Sequence, residues 1–236
     1  MKRKSSCLGG FCRLLVLALV VFAAVSGWQV WKISGDYKAE ADLHSAVMAY
    51  RPQEDENLNQ GVIDLKDKYP DVVGWLSVPG SKIDYAFVQA RDNDRYLRRD
   101  LDGQYALAGT LFMDCRCAPD FSSQNTIIYG HHMKNGSMFG TLKSFADKEF
   151  FEKHNSGTIF LPHENLKLEF FAYMVVKADD KEIYSVEPGD GFLEYVRQNA
   201  RQYHNVGLTD DDRIVTLSTC AYEYEGARMV LLAMIT

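Results

Sequence analysis

Near the carboxy terminus, Ile214-Val215-Thr216-Leu217-Ser218-Thr219-Cys220 reads as a strand, with Val215 and Leu217 on one face and Thr216, Ser218 and Cys220 on the other, more polar one. A short turn, Ala221 to Ala227 with Gly226 inside it, leads to the apolar run Arg228 to Ile235. If the two runs pair as an antiparallel hairpin, Arg228 at the start of one stands beside Cys220 at the end of the other. A guanidinium there favours the thiolate and can donate hydrogen bonds to the oxyanion formed when sulfur attacks a carbonyl. On these two residues alone, a partly buried cysteine with a surface arginine is an equal alternative. A third group comes from His131-His132, which follows the short apolar strand Asn125-Thr126-Ile127-Ile128-Tyr129-Gly130. An imidazole at a neighbouring strand end can serve as acid and base for a thiol nucleophile. Adjacent histidines point in different directions, so one of the two is expected in that role; two exposed loop histidines are the alternative. A metal reading needs His131, His132 and a cysteine as ligands, but no second ligand pair stands at structural zinc spacing.

The elements that must position these residues are mainly β. Short runs rich in β-formers recur between turn residues: Val72 to Val78 before Pro79-Gly80, Ile83 to Gln89, Gly109 to Asp114, Thr126 to Tyr129, Thr158 to Leu161, Leu166 to Val176, Arg213 to Thr219 and Arg228 to Ile235. About eight strands at such spacing predict a closed or nearly closed β-barrel. Two helical inserts interrupt them, Ser137 to His154 and Asp190 to Tyr203, the second placed where it can wall a groove before the Cys220 strand. Two further helices precede the barrel, Asp36 to Tyr50 and one through Leu58, Val62 and Leu65, separated by the polar stretch Gln53 to Asn57.

At 236 residues the chain is long enough for one well-filled core. A net charge of -6 and the lack of a basic stripe interleaved with aromatics argue against nucleic acid as a partner. Charge is uneven at the start: Lys2, Arg3, Lys4 and Arg13 precede an uncharged run from Leu14 to Trp31. That run spans roughly 27 Å as a helix, just sufficient for a hydrocarbon core of about 30 Å. The positive-inside rule puts the amino terminus in the cytoplasm and everything after Lys32 outside, with Trp28 and Trp31 at the outer interface. A cleaved signal peptide, with Ala24 and Ser26 as its small residues, is the rival reading. The expected organisation is a basic tail (1–13), a membrane anchor (14–31), a linker with two helices (32–70) and the barrel (71–236). Of the five cysteines, Cys7 and Cys12 lie before or at the edge of the membrane and only Cys115, Cys117 and Cys220 are expected on its outer side, which does not make a disulfide framework.

Thr216-Leu217-Ser218-Thr219-Cys220 resembles the sortase signature TLxTC, with Arg228 following at a suitable distance, and Asn125 to His132 resembles the histidine motif of class B sortases. The likeness extends through Val72-Val73-Gly74-Trp75-Leu76, Ile83-Asp84-Tyr85 and Leu111-Phe112-Met113-Asp114. It implies an eight-stranded sortase-type barrel with two amino-terminal helices and a helical insert before the cysteine strand. It also implies a membrane-tethered transpeptidase of a Gram-positive cell surface: Cys220 attacks a threonine carbonyl in a sorting motif near the carboxy terminus of a surface protein, giving a thioacyl enzyme. An amine of a peptidoglycan precursor or of a pilin subunit then resolves it. By the same likeness His131 is the acid and base, and Arg228 holds the substrate carbonyl or the oxyanion. Ser218, Thr219 and Tyr184 are expected at the substrate, and His132 and Asn125 in support. Many sortases are thought to use reverse protonation, a thiolate beside an imidazolium, which unperturbed values of about 8.5 and 6.5 permit at neutral pH. No cofactor or metal is implied. Glu223 and Glu225 are read as solvated charges, and Cys115 and Cys117 as strand-end thiols.

Three rivals give different expectations. A redox ectodomain would depend on Cys115 or Cys117 as fully as on Cys220, and the chain has no Cys-x-x-Cys motif. A non-enzymatic adhesion or haem-handling module would survive loss of Cys220. A simple cysteine protease shares the thioacyl step and differs only in releasing its product to water.

Overall fold

The computed structural model describes residues 6–53, 58–209, 211–221 and 225–236; Lys2, Arg3, Lys4, residues 54–57 of the polar stretch and Glu223 lie outside them. The chain divides into two compact units, Met1–His44 and Ser45–Thr236. Helix α1 spans Ser6–Val47. A window of it with mean hydropathy 2.2 has no buried residue, and Phe22 and Trp31 are 71% and 74% exposed. This length and composition suffice to cross a bilayer. The separate helix expected over Asp36 to Tyr50 is instead the last part of α1, and only Met48–Tyr50 tightens into a 3-10 turn. Ser34-Gly35 does not break it because an interior glycine costs only about 1 kcal/mol relative to alanine, and no proline precedes Pro52.

The second unit is a β-barrel. Its strands are β1 (Val72–Ser77), β2 (Asp84–Gln89), β3 (Leu111–Met113), β4 (Asn125–Tyr129), β5 (Ser156–Leu161), β6 (Glu164–Lys177), β7 (Gln202–Tyr203), β8 (Ile214–Cys220) and β9 (Ala227–Ile235). They lie in the order β5-β1-β2-β3-β4-β8-β9-β6-β7, and β5 also pairs with β6. That pairing closes eight strands into a ring, with the two-residue β7 hanging on the outside of β6. Closure leaves no long open edge for another chain to extend. Register shifts at Val72/Gly74 and Phe170/Ala172 mark bulges, the usual device for bending a strand around a barrel. Trp75, Phe87, Phe139, Phe145, Phe160 and Phe170 are fully buried, each contributing about 1.5–3 kcal/mol through burial.

The short helices sit around this ring. Helix α2 (Gln60–Lys68) buries Val62 and Leu65, and Asn59 before it donates through Nδ2 to the Leu161 carbonyl at 2.6 Å, pinning the helix to the β5–β6 hairpin. The first insert is not one helix. A 3-10 stretch over Gly140–Ala146 ends at Asp147, whose carboxylate caps helix α3 (Lys148–Lys153) by accepting from the Phe150 N–H. The second insert holds helix α4 (Phe192–Asn199), after which the chain extends into β7. Phe192 and Val196 of α4 pack with Ile183, Phe171 and Met174, forming a small second core on β6. It supports the segment that carries Tyr184.

Candidate active site

The site forms where three neighbouring strands end level with one another. β4 and β8 run parallel with Tyr129 opposite Ser218, and the Gly130 N–H donates to the Ser218 carbonyl at 3.1 Å. Two residues further on, His131 is therefore level with Cys220. β8 and β9 are antiparallel, with Cys220 opposite Arg228. The Ala221 N–H donates to the Ala227 carbonyl at 2.9 Å. Ladder alternation then makes Cys220–Arg228 a non-hydrogen-bonded pair, the class with Cα atoms about 4.5 Å apart and side chains closest. A cleft of about 370 Å³ opens over these ends, and His131, Cys220, Arg228, Ser218, Thr219 and Tyr184 are among its lining residues.

Glycine lets the histidine strand reach this place. A Cβ on Gly130 would lie 2.4 Å from Leu111 Cδ2 and 2.7 Å from Phe139 Cδ2, so no larger residue fits before His131. The His131 ring meets the Leu97 carbonyl oxygen at 2.6 Å through Nε2. A carbonyl only accepts, so Nε2 carries the hydrogen and Nδ1 is left with the lone pair in the neutral ring. Leu97 is itself held close by Gly109, whose φ is 60° and whose Cβ, if it had one, would sit 2.6 Å from the Leu97 oxygen. Burial lowers the His131 pKa; the Leu97 carbonyl works against this and the Arg98 charge adds to it. The ring is thus held neutral at pH 7 and, once protonated, is a stronger acid than free imidazole.

Around Cys220 the remaining groups divide by face. Ser218 shares its face of β8, and its Oγ lies 2.8 Å from the Tyr184 hydroxyl. Thr219 alternates to the opposite face, and its hydroxyl is buried without a hydrogen-bond partner among the described residues. Arg228 donates through one terminal nitrogen to the Ala227 carbonyl at 3.1 Å. No carboxylate among the described residues pairs with it, and it lines the cleft. His132 Nδ1 donates to the Cys220 carbonyl at 3.0 Å, so the second histidine fastens the strand end. Asn125 is fully buried below the cleft; its Nδ2 donates to the carbonyls of Ile183 and Ser185 at 3.0 and 2.8 Å, and its Oδ1 accepts from Thr216 at 2.8 Å. It ties the Tyr184 segment to β4 and β8 from behind.

The other thiols are differently placed. Cys115 is exposed and Cys117 is buried. Cys117 sits between the Asn125 carbonyl and the Ile127 N–H, and burial pushes its pKa up to about 11, which leaves it protonated and unreactive at neutral pH. A redox centre built on it is disfavoured.

Sequence reasoning did not single out four groups that line the cleft or shape it: the Leu97 carbonyl, Asn93, Arg116 and the Tyr129 hydroxyl. Backbone carbonyls leave no trace in residue type. Arg116 follows the Leu111 to Asp114 motif and Tyr129 lies inside the histidine motif, but their partner is the Asp114 carboxylate, and only the fold shows that contact.

Residues 76–236 match the family model described as the Sortase domain. Sortase B of Listeria monocytogenes is 35% identical over 243 aligned residues, covering 98% of this chain and 97% of that protein. The chain belongs to the sortase family. Sortase B from Bacillus anthracis superposes with a TM-score of 0.74 at 31% identity, covering 85% of this chain and 98% of that one. A class B sortase of Streptococcus pyogenes involved in pilus biogenesis gives 0.69 at 33%, covering 74% and 97%. Sortases are cysteine transpeptidases, and the eight-stranded barrel with its flanking helices is the fold these class B relatives share. Among the described cysteines of this sortase, Cys220 alone lines the cleft.

The His131 environment sets a pH expectation for this sortase. A depressed imidazole pKa means that, as pH falls, the ring stays neutral past the usual value before charging. The acid limb of kcat/KM for peptide cleavage is expected to have its midpoint below about 6.5. Folding follows the same sign: the stability this neutral ring contributes is fully present above about 6.5 and is lost as pH drops through the lower folded value. A pH–rate profile measures the limb, and a midpoint at or above 6.5 contradicts the burial argument.

Proposed function

We propose that Cys220 is the nucleophile, His131 the acid and base, and Arg228 the group that binds the developing oxyanion. The observation that carries this is the level alignment of three strand ends, β4 to β8 and β8 to β9. The Cys220 proton passes to His131 Nδ1, and the thiolate adds to the threonine carbonyl of the sorting motif. Negative charge builds on the carbonyl oxygen beside the Arg228 guanidinium, whose donors need little reorganisation. Collapse expels the downstream amine, which takes its proton from the imidazolium, and leaves a thioacyl enzyme. An incoming amine gives its proton back to His131 as it forms the new amide and frees the thiolate. Ser218 and Tyr184, joined through their hydroxyls, form the wall against which the peptide lies.

Sortases act on surface proteins that carry a sorting motif and on amine acceptors. For this chain we propose a peptidoglycan precursor or a pilin subunit as acceptor; the likeness to a pilus-assembling relative supports the second. We further propose that α1 is an uncleaved anchor with the amino terminus in the cytoplasm and the barrel outside. Its exposed apolar surface and the basic residues before it support this.

Transfer is separated from hydrolysis by supplying an amine. Full-length protein in detergent is incubated with a quenched pentapeptide bearing Thr-Gly or Thr-Asn and with triglycine or a diaminopimelate-type amine. The expected product is the peptide joined to the amine at threonine; free acid alone at every amine concentration contradicts transfer.

A further inference from the structure

Asp114, at the end of β3, is fully buried beneath the cleft. Arg116, two residues on, wraps back to it: Nε donates to one carboxylate oxygen at 2.9 Å and a terminal nitrogen to the other at 2.8 Å. The Arg116 backbone N–H also donates to this carboxylate, at 3.0 Å, and the Tyr129 hydroxyl donates at 2.9 Å. Burial acts to raise the Asp114 pKa, but the Arg116 and Tyr129 hydrogen bonds overcome it and hold the carboxyl below its ordinary value. A charged carboxylate satisfied four times over is a fixed point.

The same Arg116 nitrogen that binds Asp114 also donates to the Tyr184 backbone carbonyl at 3.0 Å, across 68 residues of chain. Tyr184 is then held at three places. Its carbonyl is taken by Arg116, its ring stacks on Tyr129 with centroids 6.2 Å apart, and its hydroxyl meets Ser218. Tyr129 and Ser218 face each other across β4 and β8. The network therefore connects the end of β3 to the strand that bears Cys220 and stops two residues short of the thiol.

We propose that Asp114 and Arg116 are positioning residues that set the peptide-binding wall of the cleft by fixing Tyr184, and so govern affinity for the sorting peptide rather than the chemistry at Cys220. This rests on the reading of the cleft given above. A bidentate guanidinium is suited to the task because its planar fork holds the carboxylate while a further N–H remains for the carbonyl. An ammonium in its place lacks that fixed geometry.

The test uses full-length protein in detergent and the best-cleaved member of a quenched Thr-Gly and Thr-Asn pentapeptide library. Cleavage by the wild type and its absence in Cys220→Ala establish the underlying reading first, so its failure is seen separately. Arg116→Gln is expected to raise KM about tenfold, and the isosteric Asp114→Asn about fivefold, with kcat within about twofold of wild type. The two changes combined raise KM no more than Arg116→Gln alone, since both cut one linkage. Arg116→Lys falls between Arg116→Gln and wild type. The rate at which iodoacetamide alkylates Cys220, read by peptide mapping, stays within about twofold in all of them. If Arg116→Gln does not fold, Arg116→Lys and Asp114→Asn decide by the same measures. KM within twofold of wild type in Asp114→Asn overturns the clamp, because Arg116 touching the peptide directly would not need its partner. So does a fall in kcat matched by slower Cys220 alkylation.

Discussion

Cys220→Ala is expected to reduce peptide cleavage by at least about 10⁴-fold, to the uncatalysed level, because no other thiol among the described residues lines the cleft. Cys117 is buried with its pKa pushed up to about 11, and Cys115 is exposed but does not line the cleft. The substitution removes one sulfur at an intermediate position at the end of β8, so the melting temperature is expected to stay within a few degrees. Cys115→Ala, assayed beside it, is expected to retain activity within about twofold. Equal losses in the two variants would instead point to a thiol pair and to the redox rival.

His131→Ala carries the second large effect, a loss of about 10³-fold in kcat/KM, within the range general acid–base catalysis supplies. The structure gives two reasons to expect a specific rather than a diffuse loss. His131 is level with Cys220 across the parallel β4–β8 pair, and the Leu97 carbonyl holds its Nε2 hydrogen so that Nδ1 is free to exchange protons. The acid limb of the pH profile should vanish with the side chain, whereas a structural role would lower activity at every pH equally. His132→Ala provides the contrast. Its Nδ1 ties down the Cys220 backbone carbonyl, so we expect a loss of about tenfold or less and an unchanged pH limb.

Much of this arrangement was legible in the sequence, and the reasons are local. All eight expected strand runs contain strands, because Pro79-Gly80, Gly130 and Gly226 punctuate them and β-formers fill the intervals. The Cys220–Arg228 pairing follows from hairpin arithmetic, since a short turn fixes the register. The β4–β8 pairing is of another kind. It joins parallel strands about ninety residues apart, and nothing local in either strand specifies it. The likeness to sortases supplied His131 where periodicity left two histidines open. The unbroken α1 joins the expected anchor to the helix expected over Asp36 to Tyr50, because Ser34-Gly35 between them, without proline, is too weak to end a helix. The reach of Arg116 to Tyr184 has no signature at all, because a side chain that bridges two loops is specified only once the barrel has brought them together.

The most direct test of the central claim is intact-protein mass spectrometry of the full-length enzyme after exposure to the pentapeptide library. The expected result is a mass increase equal to the acyl half of one peptide ending in threonine, mapped to Cys220, lost in Cys220→Ala and strongly reduced in Arg228→Ala. An acyl mass on another residue, or cleavage of peptide by Cys220→Ala, would contradict the account.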